Sequence, residues 1–115
     1  SLYPNATLLS DSTSNYNCHS YAWYSDSTSN IYWMSNPSAY MTDGSYTQYT
    51  GAPVAAAPGY RMYYNYGDHS AIIYVAGPVP SYSDITVISK WGPGPLMMHK
   101  ASDSPYSSRI LTIWQ

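Results

Sequence analysis

Cys18 is the one cysteine in the chain, and its surroundings decide what chemistry it could perform. Without a second cysteine no intramolecular disulfide can form, and zinc sites built from several thiolates are excluded. A single cysteine is most often a small buried hydrophobic residue. A thiol near the start of a helix can instead act as a nucleophile, because the positive end of the helix dipole favours the thiolate.

The residues that follow Cys18 have helical spacing. Cys18, Tyr21 and Ala22 fall at positions i, i+3 and i+4, which lie on one face of a helix. The side chains that could cap this helix are those of Ser12, Ser14, Asn15 and Asn17. The pattern predicts a helix within residues 17–24, with Cys18 in its first turn.

A nucleophilic thiol needs a base within hydrogen-bond reach, and the chain has three histidines. His19 is adjacent to Cys18, so on a helix its side chain points about 100° away and makes a poor base. His69 opens the strongly apolar run 69–75, which is typical of a central strand. A strand end at the rim of a sheet can meet a helix packed above it, so we expect His69 to be the base. The alternative is a histidine in a surface turn.

The base in turn needs a group that accepts its second ring N–H. The strand predicted over residues 85–90 ends in Ser89 and Lys90, and strand alternation places these two side chains on opposite faces. Lys90 would repel a protonated imidazole, so we expect Ser89 to orient His69 and Lys90 to be solvated. Trp91 could cover the pair and exclude water, or serve as a core aromatic residue.

Composition limits the classes of partner. The chain has 115 residues, which fits one domain over 1–115, and only 9% of them are charged. The net charge is -2 and the four basic residues do not cluster, which argues against nucleic acid and membrane surfaces as partners. No apolar run is long enough for a spanning helix. Fifteen Tyr, four Trp and abundant Ser on a weakly charged chain suit an extracellular protein.

The order of the predicted elements indicates an α+β fold. Residues 1–16 are interpreted as an irregular lead-in, and a second short helix is predicted near 38–41. Strands are predicted over 60–64, 69–75, 85–90, 96–99 and 109–114. We therefore expect an N-terminal helix that carries Cys18, packed on one face of a four- to six-stranded antiparallel sheet.

Three short stretches resemble the papain-like cysteine hydrolases, and in particular the compact bacterial CHAP-type amidases and peptidases. They are Cys18-His-Ser-Tyr-Ala-Trp23, Asp68-His69-Ser70-Ala71 and Ser89-Lys90-Trp91-Gly92. The resemblance implies a papain-like minimal core with Cys18 as nucleophile and His69 as general base. It implies hydrolysis of amide bonds in cell-wall peptidoglycan peptides or in proteins, outside the cell or in its wall. It also implies a monomer that needs no metal or other cofactor.

The chain departs from the pattern of this family in two residues: the one that orients the base and the one that donates a side-chain hydrogen bond to the oxyanion. Ser89 stands where the family has Asn, or Glu in many CHAP-type members, and His99 is the alternative orienting residue. The side-chain donor to the oxyanion has no clear match, and Ser12 and Asn15 are possible donors. The residues expected to bind the oxyanion or the substrate are Tyr16, Asn17 and Trp91.

Other functions compete with catalysis. The abundance of Tyr and Trp, the low charge and the Ser89 departure favour a non-catalytic extracellular sugar- or wall-binding module, and a structural or adhesion fragment is a further alternative. A zinc site of Cys18, the histidines and a carboxylate is disfavoured, because adjacent Cys18 and His19 have poor ligand spacing. The aromatic residues that could line a cleft are Tyr32, Trp33, Tyr46, Tyr49, Tyr60, Tyr63, Tyr64 and Tyr66.

Overall fold

The computed structural model describes residues 3–53, 56–65, 69–75, 79–106 and 109–115. The strands within these ranges are β1 (Thr7–Ser10), β2 (Gln48–Tyr49), β3 (Arg61–Tyr64), β4 (His69–Val75), β5 (Thr86–Lys90), β6 (Leu96–Lys100) and β7 (Leu111–Trp114). They form one antiparallel sheet in the order β1-β6-β5-β4-β3-β7-β2. The helical elements are a π-helical turn over Ser20–Tyr24, the short helix α1 over Ser38–Thr42 and a 3-10 turn over Tyr82–Asp84.

The apolar run that begins at His69 forms the middle strand of the sheet, as predicted. β4 pairs with β3 on one side and with β5 on the other, so both of its edges are hydrogen-bonded within the sheet. The strands predicted near β3, β5, β6 and β7 are confirmed to within a residue or two, and α1 lies where the second helix was expected. The edge strands β1 and β2 were not predicted, because neither has a buried face whose alternation could reveal it.

The predicted fold class, a papain-like α+β core with an N-terminal helix packed on a four- to six-stranded antiparallel sheet, is wrong. The described residues form mainly a seven-stranded sheet, and the helical segment that Cys18 begins is short and spans residues 18–24. We call these residues the Cys18 segment. After Tyr24, serine side chains replace helix carbonyls as acceptors for the backbone N–H groups. Ser25 Oγ accepts the N–H of Ser27, and Ser27 Oγ accepts that of Ser29. Such turns end the helix where a papain-like core would continue it.

Alternation along the strands divides the sheet into two faces. The core face carries Met62, Ala71 and Val87, which belong to the main buried cluster with Ile73 and Ile113. The opposite face is covered by the Cys18 segment, which contacts β4 and β5, and we call it the segment face. The residues that pack between this face and the chain around the segment include Tyr16, Tyr21, Trp23, Tyr63, Ile72, Ile88, Leu96 and Trp114.

Candidate functional site

Asn17 fixes the start of the Cys18 segment. Its Oδ1 accepts the backbone N–H of Ser20 at 3.0 Å and that of Met34 at 3.2 Å. Its Nδ2 donates to the carbonyl oxygen of Met34 at 2.6 Å. Asn17 is therefore the cap that places Cys18 at the first helical position, and it ties the segment to the chain at residue 34. The amide proposed for the oxyanion is already engaged in this structural role.

Cys18 acts electrostatically on three side chains, two of which lie at the end of the sheet where β3 and β5 finish and β4 and β6 begin. Burial raises the pKa of Tyr64, and Cys18 raises it further. Burial and then Cys18 raise the pKa of Tyr106 to about 12. Burial lowers the pKa of Lys90, and Cys18 opposes that shift. Cys18 itself is 6% exposed.

His69 occupies the same end of the sheet and has an unusual environment. Its imidazole is fully buried, stacks on the Tyr106 ring at 3.6 Å and meets the Tyr64 ring edge-on at 4.8 Å. Neither ring nitrogen has a hydrogen-bond partner among the residues that the structure describes. His69 therefore contacts the two tyrosines whose pKa values Cys18 raises. Asp68, which precedes the histidine in the predicted stretch, lies outside the described residues.

The electrostatics of His69 favour a neutral ring. Burial, followed by repulsion from His99 and His19, holds the pKa of His69 well below its usual value. The imidazole is therefore uncharged at neutral pH, which is the form that can accept a proton from a thiol.

Tyr16 is the second buried side chain with an unsatisfied polar atom. Its ring stacks on that of Tyr21 with centroids 6.0 Å apart, and the ammonium of Lys90 lies 5.0 Å from its centroid. Burial raises the pKa of Tyr16, so the hydroxyl keeps its proton and remains a donor. The buried side-chain nitrogen and oxygen atoms without a partner, among the described residues, belong to Tyr16 and His69 alone. Both residues were singled out from the sequence.

Ser89 and His99 bind each other. The Nδ1–H of His99 donates to the carbonyl oxygen of Lys100 at 2.6 Å, so its Nε2 is the acceptor in the neutral ring. The Ser89 hydroxyl donates to this Nε2 at 2.6 Å, and Trp91 Nε1 donates to Ser89 Oγ at 3.1 Å. Neither Ser89 nor His99 reaches a nitrogen of His69, so the contact expected of an orienting residue is not made. Trp91 covers Ser89 and His99.

Lys90 was predicted to be solvated, and that prediction is wrong. Its side chain is fully buried, and Nζ donates to the carbonyl oxygens of Thr13 and Gly92. The chain that leads to Cys18 closes over the ammonium, and a turn at Gly92, with φ of 62°, brings the second carbonyl to it. A cation beside a thiol favours the thiolate. The sequence offered one clue, a lysine at the end of an otherwise apolar strand.

His19 lies on the other side of the sheet from His69. Its Nδ1 is 2.7 Å from Ser70 Oγ, which also accepts a hydrogen bond from Trp23 Nε1 at 2.9 Å. Since Ser70 follows His69 in β4, the two histidines contact opposite faces of that strand. The expectation that His19 points away from the catalytic position agrees with this arrangement.

Cys18 is almost buried and His69 is fully buried. Neither residue lines a cavity of about 460 Å³ that lies beside β6 and includes His99, Lys100 and Asp103 in its wall.

Comparisons with protein-family models, with curated protein sequences and with solved structures find nothing that matches this chain. Within the described residues, no three or more His, Cys, Asp or Glu side chains are grouped so that they could hold a metal ion. The helices in that part of the chain are all too short or too polar to cross a membrane.

Proposed function

We propose that this chain is a cysteine-dependent hydrolase of amide or peptide bonds, with Cys18 as the nucleophile and His69 as the general base. The observation that carries the proposal is the fully buried imidazole of His69. Neither of its nitrogens has a hydrogen-bond partner among the described residues. The ring also contacts Tyr64 and Tyr106, whose pKa values Cys18 raises.

A histidine that served only to pack the core would destabilise the protein at this position relative to an apolar aromatic residue. A buried polar group without a hydrogen bond costs about 1–3 kcal/mol of stability. The stacking on Tyr106 and the edge contact with Tyr64 need only an aromatic ring, which phenylalanine would supply without that cost. Unsatisfied buried groups are rare in native proteins, and proton transfer is one of the functions that account for them.

The proposed reaction uses the side chains at this end of the sheet. His69 accepts the proton of the Cys18 thiol, and the sulfur attacks the carbonyl carbon of the substrate. The oxygen gains the negative charge and accepts a hydrogen bond from the Tyr16 hydroxyl, while the buried ammonium of Lys90 stabilises the anionic sulfur. His69 then protonates the leaving amine as the C–N bond breaks. Water, deprotonated by His69, cleaves the thioester to a carboxylic acid and restores the thiol.

The proposed substrates are peptides of cell-wall peptidoglycan or of proteins, outside the cell. The resemblance around Cys18 and His69 and the weakly charged, tyrosine-rich composition support this class. The chain would act as a monomer without a cofactor.

Alkylation by iodoacetamide tests the proposed pair, because Cys18 is the only thiol. The rate would be followed from pH 5 to 9 in the wild type and in His69→Phe, which keeps the ring stack but removes the base. We expect faster alkylation in the wild type than in the variant across this pH range, because His69 can accept the thiol proton. Equal rates in both proteins, rising near about pH 8.5, would refute the pair.

The non-catalytic binding module remains the second candidate, since the burial of Cys18 and His69 favours it. Release of soluble peptides from purified peptidoglycan by the wild type, and none by Cys18→Ala, would establish hydrolysis. Equal release by both proteins would exclude Cys18 as the nucleophile. Binding to peptidoglycan without release by either protein would favour the module.

A further inference from the structure

A cavity of about 340 Å³ opens where the Cys18 segment ends and the chain turns away from the sheet. Its size falls within the range of small-ligand sites. Catalysis as proposed makes no use of it, because Cys18 begins the segment and the cavity lies past the other end. The residues that line it are Tyr24, Ser25, Ser27, Ser29, Asn30, Ile31 and Tyr32.

Two tyrosines give this cavity an exposed aromatic wall. Tyr24 is 61% exposed and Tyr32 is 50% exposed, and their ring centroids lie 5.1 Å apart at an interplanar angle of 58°. Ile31 between them in the cavity wall is 83% exposed. These exposed apolar side chains lie close together, so they form a surface that a ligand with apolar faces can cover.

The loop that forms the cavity is anchored rather than loose. Asn30 Nδ2 donates to the buried Ser20 Oγ at 2.8 Å and to the carbonyl oxygen of Ser25 at 3.1 Å. Asn30 Oδ1 accepts the N–H of Tyr32 at 2.8 Å. The two aromatic walls are thereby fixed relative to the π-helical turn. A cavity that exists before the ligand arrives loses less entropy on binding.

The polar groups of the cavity are neutral hydroxyls. Ser27 Oγ accepts the N–H of Ser29 at 3.0 Å, which leaves the hydroxyl proton of Ser27 to donate elsewhere. The lining contains no charged side chain, so it offers nothing to pair with a phosphate or a carboxylate. Hydroxyls between aromatic rings suit a ligand that alternates hydroxyl groups with apolar ring faces.

We propose that this cavity binds a neutral carbohydrate chain, with a sugar ring packed against Tyr24 and Tyr32 and its hydroxyls bound by the serines. The inference does not depend on the chemistry of Cys18. A glycan held here would lie at one end of the segment that carries the proposed nucleophile at the other. The same site would therefore serve a hydrolase or a binding module.

Titration of the full chain with chitotetraose, cellotetraose and maltotetraose tests this inference, with binding measured by calorimetry. The site variants are Tyr24→Ala and Tyr32→Ala, and the matched control is Tyr74→Ala, a strand tyrosine that is 51% exposed. We expect saturable binding of at least one oligosaccharide. Each site variant should weaken it tenfold or more, and the control should leave it unchanged. Thermal midpoints equal to that of the wild type will show that the exposed substitutions leave the fold intact.

Two results would overturn the inference: the absence of saturable binding of all three oligosaccharides by the wild type, or binding that Tyr24→Ala and Tyr32→Ala leave unaltered. Saturable binding of a neutral tetrapeptide at this cavity, without oligosaccharide binding, would also overturn it. Repeating the titration with Cys18→Ala separates this inference from the proposed hydrolysis, because the cavity should bind equally well when the nucleophile is absent.

Discussion

The imidazole of His69 lies flat on the ring of Tyr106, with the centroids 3.6 Å apart and the planes within 4° of parallel. The stack fixes the orientation of the histidine without using either of its nitrogens. In many catalytic sites a carboxylate or an amide orients the base through a hydrogen bond. Within the part of the chain that the structure describes, Tyr106 and Tyr64 hold the ring by packing, and neither nitrogen has a hydrogen-bond partner.

His69→Phe should make the protein more stable and inactive. Phenylalanine keeps the contacts with Tyr106 and Tyr64 and removes two buried atoms that lack hydrogen bonds. We expect the free energy of unfolding, measured by urea denaturation, to rise by about 1–3 kcal/mol while hydrolysis is lost. His19→Phe is the control, because it breaks a hydrogen bond with Ser70 and should lower stability by about 1 kcal/mol. A fall in stability for both variants would contradict this account.

Stability should decline in mild acid. Burial holds the pKa of both His69 and His99 below the value of about 6.5 that they have when unfolded. Below that pH the unfolded chain binds more protons than the folded chain. The stability that the two neutral histidines contribute is therefore fully present above about pH 6.5 and is lost as the pH falls. The slope approaches about 1.4 kcal/mol per pH unit for each histidine. Urea denaturation between pH 5 and 8 would measure it, and His69→Phe should lose part of the slope. An unchanged slope would show that His69 titrates normally.

Ser89→Ala should act on stability rather than on the chemical step. The substitution removes one hydrogen bond each from His99 Nε2 and Trp91 Nε1, although Trp91 Nε1 still donates to His99 Nε2 at 3.3 Å, so the free energy of unfolding should fall by about 1 kcal/mol. Ser83→Ala, which loses only an exposed hydrogen bond to Ser81, should change it by less than about 0.5 kcal/mol. If kcat instead falls more than about tenfold under conditions in which the variant is fully folded, Ser89 orients His69 during turnover.

Tyr16→Phe should slow hydrolysis without destabilising the protein. If the hydroxyl binds the oxyanion, its removal should reduce kcat by about a hundredfold or more. Since that hydroxyl has no partner among the described residues, its loss should leave the unfolding free energy unchanged or higher. Tyr21→Phe, the neighbour in the stack, should keep full activity. Full activity in Tyr16→Phe would remove Tyr16 from the mechanism.

Local patterns predicted the strands well and the fold class badly. The apolar run from His69 to Val75 could only be a covered strand, and it lies in the middle of the sheet. The spacing of Cys18, Tyr21 and Ala22 correctly predicted the helical segment within residues 17–24. The papain-like core did not follow, because Ser25 and the polar residues after it bind the backbone with their side chains and end the helix there.

The contacts around the candidate site could not be predicted from the sequence. The assignment of Cys18 as the nucleophile and His69 as the base stays a prediction. The partner of Ser89 depends on the register between β5 and β6, which brings His99 to it. The burial of Lys90 depends on a distant carbonyl, that of Thr13. Neither relationship leaves a signal in the local sequence.

The two edge strands have a consequence for the order in which the protein can form. β1 pairs with β6, joining Thr7 to Met98, and β2 pairs with β7, joining Gln48 to Trp114. Both edges of the sheet therefore pair segments that are far apart along the chain. Pairings of this kind must wait for a long loop to close, so we expect the protein to fold slowly.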